Sequence, residues 1–175
     1  MLRKACRAVR PPFSKQAQQC ASDLSTALGE FRKLNGFGRG ISAPQVGYDL
    51  QIIALNLGSG DFHLFNPLIT KKSDDTFTLW DDCMSIDDTL VRVRRHASID
   101  ITYLNSDGEE RQWKNIDKAT SELLQHELDH LNGILMVDRF ESNPNREPHT
   151  IMREDYNKDP ERYGALVDYE IKPTI

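Results

Sequence analysis

A single hexapeptide, QHELDH at positions 125–130, restricts the fold and chemistry of this chain more than any other stretch. Residues four apart on an α-helix lie one above the other, so His126 and His130 can direct a ring nitrogen at one point. Glu127 lies about 100° around the helix from His126 and reaches the edge of that point. Two imidazoles that hold an ion, beside a carboxylate that accepts a proton from water, are typical of a hydrolytic metal site. An amphipathic helix with two coincidental histidines is the alternative.

The helix predicted to carry this motif has clear ends. Asp117 is a suitable N-cap, and Gly133 follows the motif at a place where a helix end commonly needs a positive φ. Leucines at 123, 124 and 131 provide an apolar surface. We therefore predict a central helix that begins after Asp117, ends before Gly133 and packs against the core.

The composition indicates one globular domain. The 175 residues are 38% hydrophobic and 28% charged, and no run of about 18 apolar residues occurs, so we expect no membrane association. A net charge of −5, with no Lys/Arg cluster interleaved with aromatic residues, argues against direct binding of nucleic acid. The basic first 22 residues resemble a transit peptide, but Pro11-Pro12 leads straight into a predicted helix, which favours a segment of the folded body.

The cysteines, Cys6, Cys20 and Cys83, are odd in number and widely spaced. This pattern argues against a disulfide framework and for a reducing compartment. We expect a cytoplasmic protein, with the matrix of an organelle as the alternative. Cys20 lies on the apolar face of the predicted first helix, so we expect it in the core.

The hydrophobic pattern predicts an α+β fold with mostly antiparallel β-sheets around the central helix. An N-terminal amphipathic helix is predicted at Ser14–Leu34. Strands are predicted at Gln51–Leu57, Phe62–Phe65, Thr76–Leu79, Thr89–Arg94, Ser98–Leu104, Glu110–Trp113 and Ile134–Phe140. Asn66-Pro67 is expected to end the second strand, and residues 105–108 are expected to form a hairpin turn.

The chain divides into two regions by composition. Residues 1–140 are predicted to form a single domain. Residues 141–175 contain four prolines and many charges, and we expect them to form a tail that wraps the domain or is partly disordered. A short helix is predicted near Thr150–Tyr156.

A glycine-rich stretch, GFGRG at 36–40, follows the first helix. It is not a dinucleotide fingerprint, because no strand precedes it and no helix follows, and it lacks the Gly-Lys-Ser/Thr of a phosphate loop. One interpretation is an extended ledge whose amides pair with a peptide-like ligand, with Gln45 as a side-chain donor. The alternative is a flexible turn.

A hydrolytic site of this kind requires a third protein ligand and one open position. Cys83 is a candidate because it lies among polar residues between two predicted strands, where a cation would hold it as a thiolate. His63 and His96 are expected to be surface or satisfied core residues, and His149 is isolated in the tail. A structural role for Cys83 is the alternative.

Three segments, in this order, resemble the peptide deformylase family. That family combines a G-x-G-Φ-A-A-x-Q segment, an E-G-C-Φ-S segment and a Q-H-E-x-D-H helix. This chain has GRGISAPQ at 38–45, DDCMS at 81–85 and QHELDH at 125–130. The resemblance spans residues 1–140, which it makes a single catalytic domain.

The resemblance implies a hydrolase that removes the formyl group from N-formylmethionyl peptides or nascent chains and releases formate, with the ribosome as a further partner. Cys83, His126 and His130 would bind one divalent metal. Fe²⁺ is the expected ion, and Zn²⁺, Ni²⁺ or Co²⁺ would substitute for it.

The resemblance also assigns roles around the metal. Glu127 would accept and return the proton, while Gln45 and the backbone N–H of Met84 would stabilise the oxyanion. Residues Gly38 to Gly40 would pair with the substrate backbone like an added strand.

The chain departs from the family pattern at several charged positions: Asp81 replaces the family's Glu, Asp82 its Gly and Asp87 its usual proline, and Arg39 and Glu122 are the most telling. Arg39 stands between the glycines where the family has a hydrophobic residue, and Glu122 lies one turn before His126, where the family lines its methionine pocket with apolar groups. We expect both to face a polar or charged substrate, or else solvent. A formyl-amide hydrolase with an altered pocket, a zincin-type metallopeptidase and a non-catalytic peptide binder are the alternative functions.

Overall fold

The computed structural model describes residues 1–140, 149–167 and 169. Within these ranges the helices and strands are α1 Lys15–Asn35, β1 Gly40–Ser42, β2 Ile52–Asn56, β3 Asp61–Lys72, β4 Thr76–Cys83, β5 Ile86–His96, β6 Ile99–Leu104, β7 Glu110–Trp113, α2 Lys118–Leu131, β8 Thr150–Met152, α3 Arg153–Lys158 and α4 Pro160–Tyr163. One antiparallel sheet has the order β1-β2-β3-β6-β7, and a second has the order β4-β5-β8. The predicted α+β class is confirmed.

Helix α1 forms where the apolar stripe predicts it. The Ser14 side chain accepts a hydrogen bond from the Ala17 amide and caps the first turn, and Gly36 ends the helix with φ of 75°. The stripe residues, including Cys20, Leu24 and Leu28, are fully buried. The helix therefore covers one face of the five-stranded sheet.

Strand β2 is buried on both faces, because a helix lies on each side of its sheet. Ile52 and Ala54 pack into the same cluster as α1, whereas Ile53 and Leu55 pack with α2. This alternation follows from the two-residue period of a strand. Each fully buried Ile or Leu stabilises the fold by about 1.5–3 kcal/mol.

Helix α2 lies at the centre of the molecule. Asp117 caps it by accepting from the Thr120 amide at 3.1 Å, and every residue from 120 to 131 is buried. Gly133 follows with φ of 73°. The predicted cap and the predicted glycine are both confirmed.

The prediction that Asn66-Pro67 ends a strand is wrong. Strand β3 runs from Asp61 to Lys72, with a register shift between Phe65 and Leu68 that accommodates the proline. Asn66 has φ of 50°, and its side chain bonds both the amide and the carbonyl of Val9. A contact with a distant part of the chain therefore stabilises a bulge at the position where the local sequence predicted the end of the strand.

The second sheet differs in extent from the prediction. Strands β4 and β5 extend beyond Thr76–Leu79 and Thr89–Arg94, so that Cys83 pairs with Ile86 at the tight turn between them. Ile134–Phe140 was predicted as a strand, which is wrong: Met136–Asp138 is a 3₁₀ turn, and only Phe140 forms an isolated bridge.

The segment after residue 148 contributes structure to the second sheet. The predicted helix near Thr150–Tyr156 begins only at Arg153, because Thr150–Met152 forms strand β8 against β5. The rest of the predicted tail, residues 141–148, 168 and 170–175, lies outside the described part of the chain.

Candidate metal centre

Three ligand atoms from distant parts of the chain converge. His126 and His130 lie one turn apart on α2, and Cys83 reaches them from the end of β4. The His130 Nε2 atom lies 3.2 Å from Cys83 Sγ and 3.2 Å from His126 Nε2. All three ligand atoms lie within 4.8 Å of one another. The sulfur and the two rings therefore surround a single point.

This geometry fits a tetrahedral metal site. With metal–nitrogen bonds of about 2.0–2.1 Å and a metal–sulfur bond of about 2.3 Å, ligand atoms in a tetrahedron lie about 3.3–3.6 Å apart. The two observed contacts of 3.2 Å are close to these values. One thiolate and two imidazoles suit a borderline transition metal rather than Mg²⁺ or Ca²⁺.

His126 is oriented by a carboxylate on the opposite side of its ring. Its Nδ1 atom lies 3.0 Å from both carboxylate oxygens of Asp81. A proton on Nδ1 leaves Nε2 as the lone-pair atom that points to Cys83 and His130. Asp81 therefore selects the ring tautomer that a metal ligand requires.

Asp81 belongs to a buried charge network. Arg95 donates to Asp81 at 2.9 Å and to Asp129 at 2.5 Å, and Arg139 donates to Asp129 at 2.7 Å. Burial opposes ionisation of Asp81, but its contacts with His126 and with the Arg95 guanidinium hold its pKa at about 2. The carboxylate is therefore ionised at neutral pH.

Sequence reasoning missed Arg95, although a signal for it exists. Val91, Val93 and Arg95 alternate along β5 on its buried face, so the arginine occupies an inward position. A charge in a core position requires a buried partner, and the acidic residues of the second and third motifs are the available ones.

Glu127 is buried beside the ligands. Its Oε2 atom has no hydrogen-bond partner among the residues that the structure describes. Burial raises the pKa of Glu127 to about 7, although His126 and Ser42 oppose this. A carboxyl group with a pKa near neutrality and a free oxygen in a cleft is suited to general acid–base chemistry.

The local geometry requires the glycines at and just before the start of β1. Gly38 has φ of 125°, which favours glycine. A Cβ on Gly40 would lie 3.1 Å from Oε1 of Glu127 and 3.0 Å from Cδ2 of Leu55. Strand β1 is also the edge of its sheet, so one of its sides has no strand partner in the described ranges. The ledge formed by residues 38–40 can therefore accept an extended chain.

Gln45 is held in one orientation by Ser42 and Ser85. Its Oε1 accepts from the amide and the hydroxyl of Ser42, both at 2.8 Å, and its Nε2 donates to Ser85 Oγ at 3.2 Å. An amide nitrogen has two hydrogens, so one donor remains for a ligand. Gln45 and Met84 both line a cleft of about 740 Å³ together with Cys83, His126 and Glu127.

Arg39 and Glu122 are largely buried rather than exposed to solvent, and the expectation that they face a polar substrate stays a prediction. They pair with each other: Arg39 Nη2 contacts Glu122 Oε1 at 2.5 Å, and Arg39 Nη1 donates to the Ala119 carbonyl at 2.8 Å. Their side chains are 17% and 7% exposed. Attraction between opposite charges in a poorly solvated place explains the pairing. Both residues line the cleft.

The remaining candidate histidines lie elsewhere. His63 bonds Ser25 and the Ala21 carbonyl, and His96 Nδ1 bonds the Ser73 carbonyl. Neither is part of the Cys83 group, which confirms their expected structural role.

The C-terminal segment supplies a wall of the cleft that sequence reasoning missed. The Trp80 amide donates to the Leu166 carbonyl at 2.9 Å, and Leu166, Val167 and Arg153 line the cleft. Arg153 also pairs with Asp82, next to Cys83. No local pattern in this charged, proline-containing segment indicates which strand edge it will contact.

Comparison of the sequence with known proteins establishes the family to which the chain belongs. The family model described as polypeptide deformylase matches residues 1–146, which is most of the chain. The chain belongs to the polypeptide deformylase family. A peptide deformylase from Brucella suis is 32% identical over 133 residues, which are 73% of this chain and 73% of that protein.

Solved structures agree with this family assignment. The peptide deformylase of Thermotoga maritima has a TM-score of 0.71 and 27% identity, with 80% of this chain and 90% of that chain covered. A probable peptide deformylase from Synechococcus phage S-SSM7 has a TM-score of 0.67 and 34% identity, with 79% and 93% covered. The resemblance inferred from three short segments is confirmed, and so is the fold it implied.

The polypeptide deformylases are hydrolases that act on N-formylated nascent peptides and use a divalent metal, and this chain belongs to that family. The donor set of Cys83, His126 and His130 is suited to such an ion. No helix in the described ranges combines the length and the apolar character needed to cross a membrane.

Proposed function

We propose that this chain removes the N-formyl group from N-formylmethionyl peptides, including nascent protein N-termini, and releases formate. The observation that carries the proposal is the convergence of Cys83 Sγ and two histidine Nε2 atoms beside the buried Glu127. Membership of the family supplies the reaction class.

The metal is proposed to be Fe²⁺, with Zn²⁺, Ni²⁺ or Co²⁺ as substitutes, held by Cys83, His126 and His130. When bound, such an ion acts as a Lewis acid toward the formyl carbonyl and makes a water molecule more acidic. Two neutral imidazoles and one thiolate give a dication site a net charge of +1, which favours both effects.

Glu127 is the proposed general base and acid. It takes a proton from the attacking water and later gives it to the departing amine, so that formate and a free amine result. Burial raises the pKa of this carboxyl group above its ordinary value, which brings both directions of transfer closer to neutral pH. The free Oε2 atom and the room left by Gly40 support this role.

Gln45 and the backbone N–H of Met84 are the proposed donors to the oxyanion that forms as the carbonyl is attacked. The clamp by Ser42 and Ser85 fixes the Gln45 amide before substrate binds, so no reorganisation is needed during the reaction. The Gly38–Gly40 ledge is proposed to pair with the substrate backbone as an added strand.

The decisive experiment measures formate release from formyl-Met-Ala-Ser by anaerobically purified, Fe²⁺-loaded protein. Glu127→Gln should lower kcat by about 10²–10⁴-fold while the metal content stays the same. The control is Glu110→Gln on β7, which is exposed and should retain full turnover. Retention of turnover by Glu127→Gln would refute the mechanism.

Two alternative reactions are separable in the same assay. A deformylase with an altered pocket would release formate from other N-formylated amines or peptides, and the Arg39–Glu122 pair favours this reading of substrate choice. A zincin-type peptidase would instead create new internal peptide ends. The third candidate ligand is a cysteine on β4 rather than a residue on a helix, which argues against the zincin-type peptidase hypothesis.

We propose that the protein acts on nascent chains near the ribosome, in the cytoplasm or in the matrix of an organelle. Three free cysteines suit a reducing compartment. Co-sedimentation with translating ribosomes carrying a formylated chain tests the association. Recovery of all the protein at the top of the gradient would contradict it.

A further inference from the structure

The Arg39–Glu122 pair lies in the catalytic cleft, close to the metal centre. Glu122 precedes His126 by one helical turn on α2, and residues at this spacing lie about 5–6 Å apart. Arg39 belongs to the ledge between Gly38 and Gly40, opposite α2. A substrate whose formyl carbonyl lies at the metal centre would therefore have both charged groups within reach of its first side chain.

The pair is partly compensated within the protein. Arg39 donates to Glu122 and to the Ala119 carbonyl. Burial raises the pKa of Glu122 although the Arg39 guanidinium opposes this. A carboxylate can accept several hydrogen bonds, and a guanidinium has five N–H donors, so each partner has bonding capacity left over for a ligand.

Tyr169 lies beside the pair. Its ring makes an edge contact with Phe77 at 5.9 Å between centroids, and the Lys118 ammonium lies 5.9 Å from the ring centre. Its buried hydroxyl lies close enough to Glu122 and Arg39 to interact with both, and burial together with the Glu122 charge raises the pKa of this hydroxyl. A third polar group therefore lies where Arg39 and Glu122 meet.

The hydrogen-bonding groups of Arg39 and Glu122 can distinguish substrate side chains of equal length by their polarity. A thioether has no donor and is a weak acceptor, so it would remove water from a charged pair without replacing its hydrogen bonds. A carboxamide can accept from Arg39 and donate to Glu122 at once. Glutamine has the length of methionine, so the two differ at this contact mainly in polarity.

We propose that the Arg39–Glu122 pair determines specificity, and that it selects N-formylated substrates whose first side chain ends in a neutral group that both donates and accepts hydrogen bonds. The carboxamide of glutamine is the test case. This inference rests on the proposed formyl-amide hydrolysis, and it changes the preferred first residue, so that N-formylmethionyl peptides become the slower substrates. A site built to hydrogen-bond its ligand rejects an analogue that lacks the polar group much more strongly than an apolar pocket rejects one methylene.

The test compares kcat/KM for formyl-Gln-Ala-Ser and formyl-Met-Ala-Ser. The wild-type protein should prefer the glutamine peptide by at least about tenfold. The double variant Arg39→Met/Glu122→Leu removes both charges without leaving one buried alone, and it should reverse the preference. The matched control is Arg111→Met/Glu109→Leu, an exposed ion pair on the hairpin, which should leave the ratio unchanged.

Two results would overturn the proposal: a wild-type preference for the methionine peptide, or an equal ratio in the wild type and the double variant. Thermal unfolding checks that each variant folds. If the double variant does not fold, Glu122→Gln replaces it, since it keeps the shape and removes the charge. The ratio should then fall at least about threefold, and an unchanged ratio would count against the proposal.

Binding separates this proposal from the proposed reaction. Calorimetry on Glu127→Gln protein measures the affinity for both peptides without turnover. Tighter binding of the glutamine peptide, with no formate released by the wild type from either one, would support the specificity role and refute the reaction. Formate release together with tighter binding of the methionine peptide would support the reaction and refute the specificity role.

Discussion

The imidazole of His126 is held by Asp81 on one side and faces His130 on the other. Its Nδ1 lies 3.0 Å from both Asp81 oxygens, and its Nε2 lies 3.2 Å from the His130 ring. The ring cannot rotate without losing the carboxylate contact. The donor that completes the proposed metal site is therefore oriented before any ion arrives.

Asp81→Asn should weaken metal affinity by about 10–100-fold, because the amide no longer fixes the tautomer of His126. Titration with Co²⁺, followed by thiolate-to-metal charge-transfer absorbance, measures this. Asp82→Asn is the control, since Asp82 pairs with Arg153 and is exposed. Equal affinities for the two variants would contradict the orienting role.

Arg95→Met should lower the free energy of unfolding by about 3–5 kcal/mol, because it leaves Asp81 and the adjacent Asp129 as buried carboxylates without this partner. Urea unfolding of the metal-free protein measures the change. Arg94→Met, at the neighbouring exposed position, should stay within about 0.5 kcal/mol. A similar loss in both variants would mean that the buried network is not responsible.

Gly40→Ala should lower kcat by about 10–100-fold, because the added Cβ would meet Oε1 of Glu127 at 3.1 Å and displace the carboxylate. We also expect a stability loss of about 1–3 kcal/mol from crowding against Leu55. Gly29→Ala is the matched control: no atom lies within 4 Å of its Cβ position, and alanine favours a helix by about 0.5–1 kcal/mol. Full activity of Gly40→Ala would show that Glu127 has more freedom than the contacts indicate.

His63 should make stability depend on pH. Burial lowers the pKa of His63, although the Ala21 carbonyl and Asp61 oppose this. The unfolded chain then binds the proton more readily than the folded one, so stability is unaffected above about pH 6.5 and falls as the pH drops below it. His63→Gln should reduce the loss of Tm between pH 7.5 and 5.5. The same slope in both proteins would rule out this contribution.

Local chemistry accounts for what could be predicted. The spacing of His126 and His130, the cap at Asp117 and the stripe of α1 depend on residues within a few turns, so the sequence alone located both long helices to within one or two residues. The order of the three motifs indicated the family, which the comparisons confirm. Strand ends were predicted less well, because the bulge at Asn66 depends on Val9 in another part of the chain.

The sequence by itself determined which side chains are proposed to carry the chemistry: one cysteine, two histidines and the glutamate between them. Tertiary structure decided how these are supported and what surrounds them. The pairing of Arg39 with Glu122 joins residues 83 positions apart, and the contact of Trp80 with Leu166 joins two distant segments. Burial determines such partners, because it removes water from charged groups and backbone amides. Each buried group then pairs with the complementary group that the packed fold places next to it.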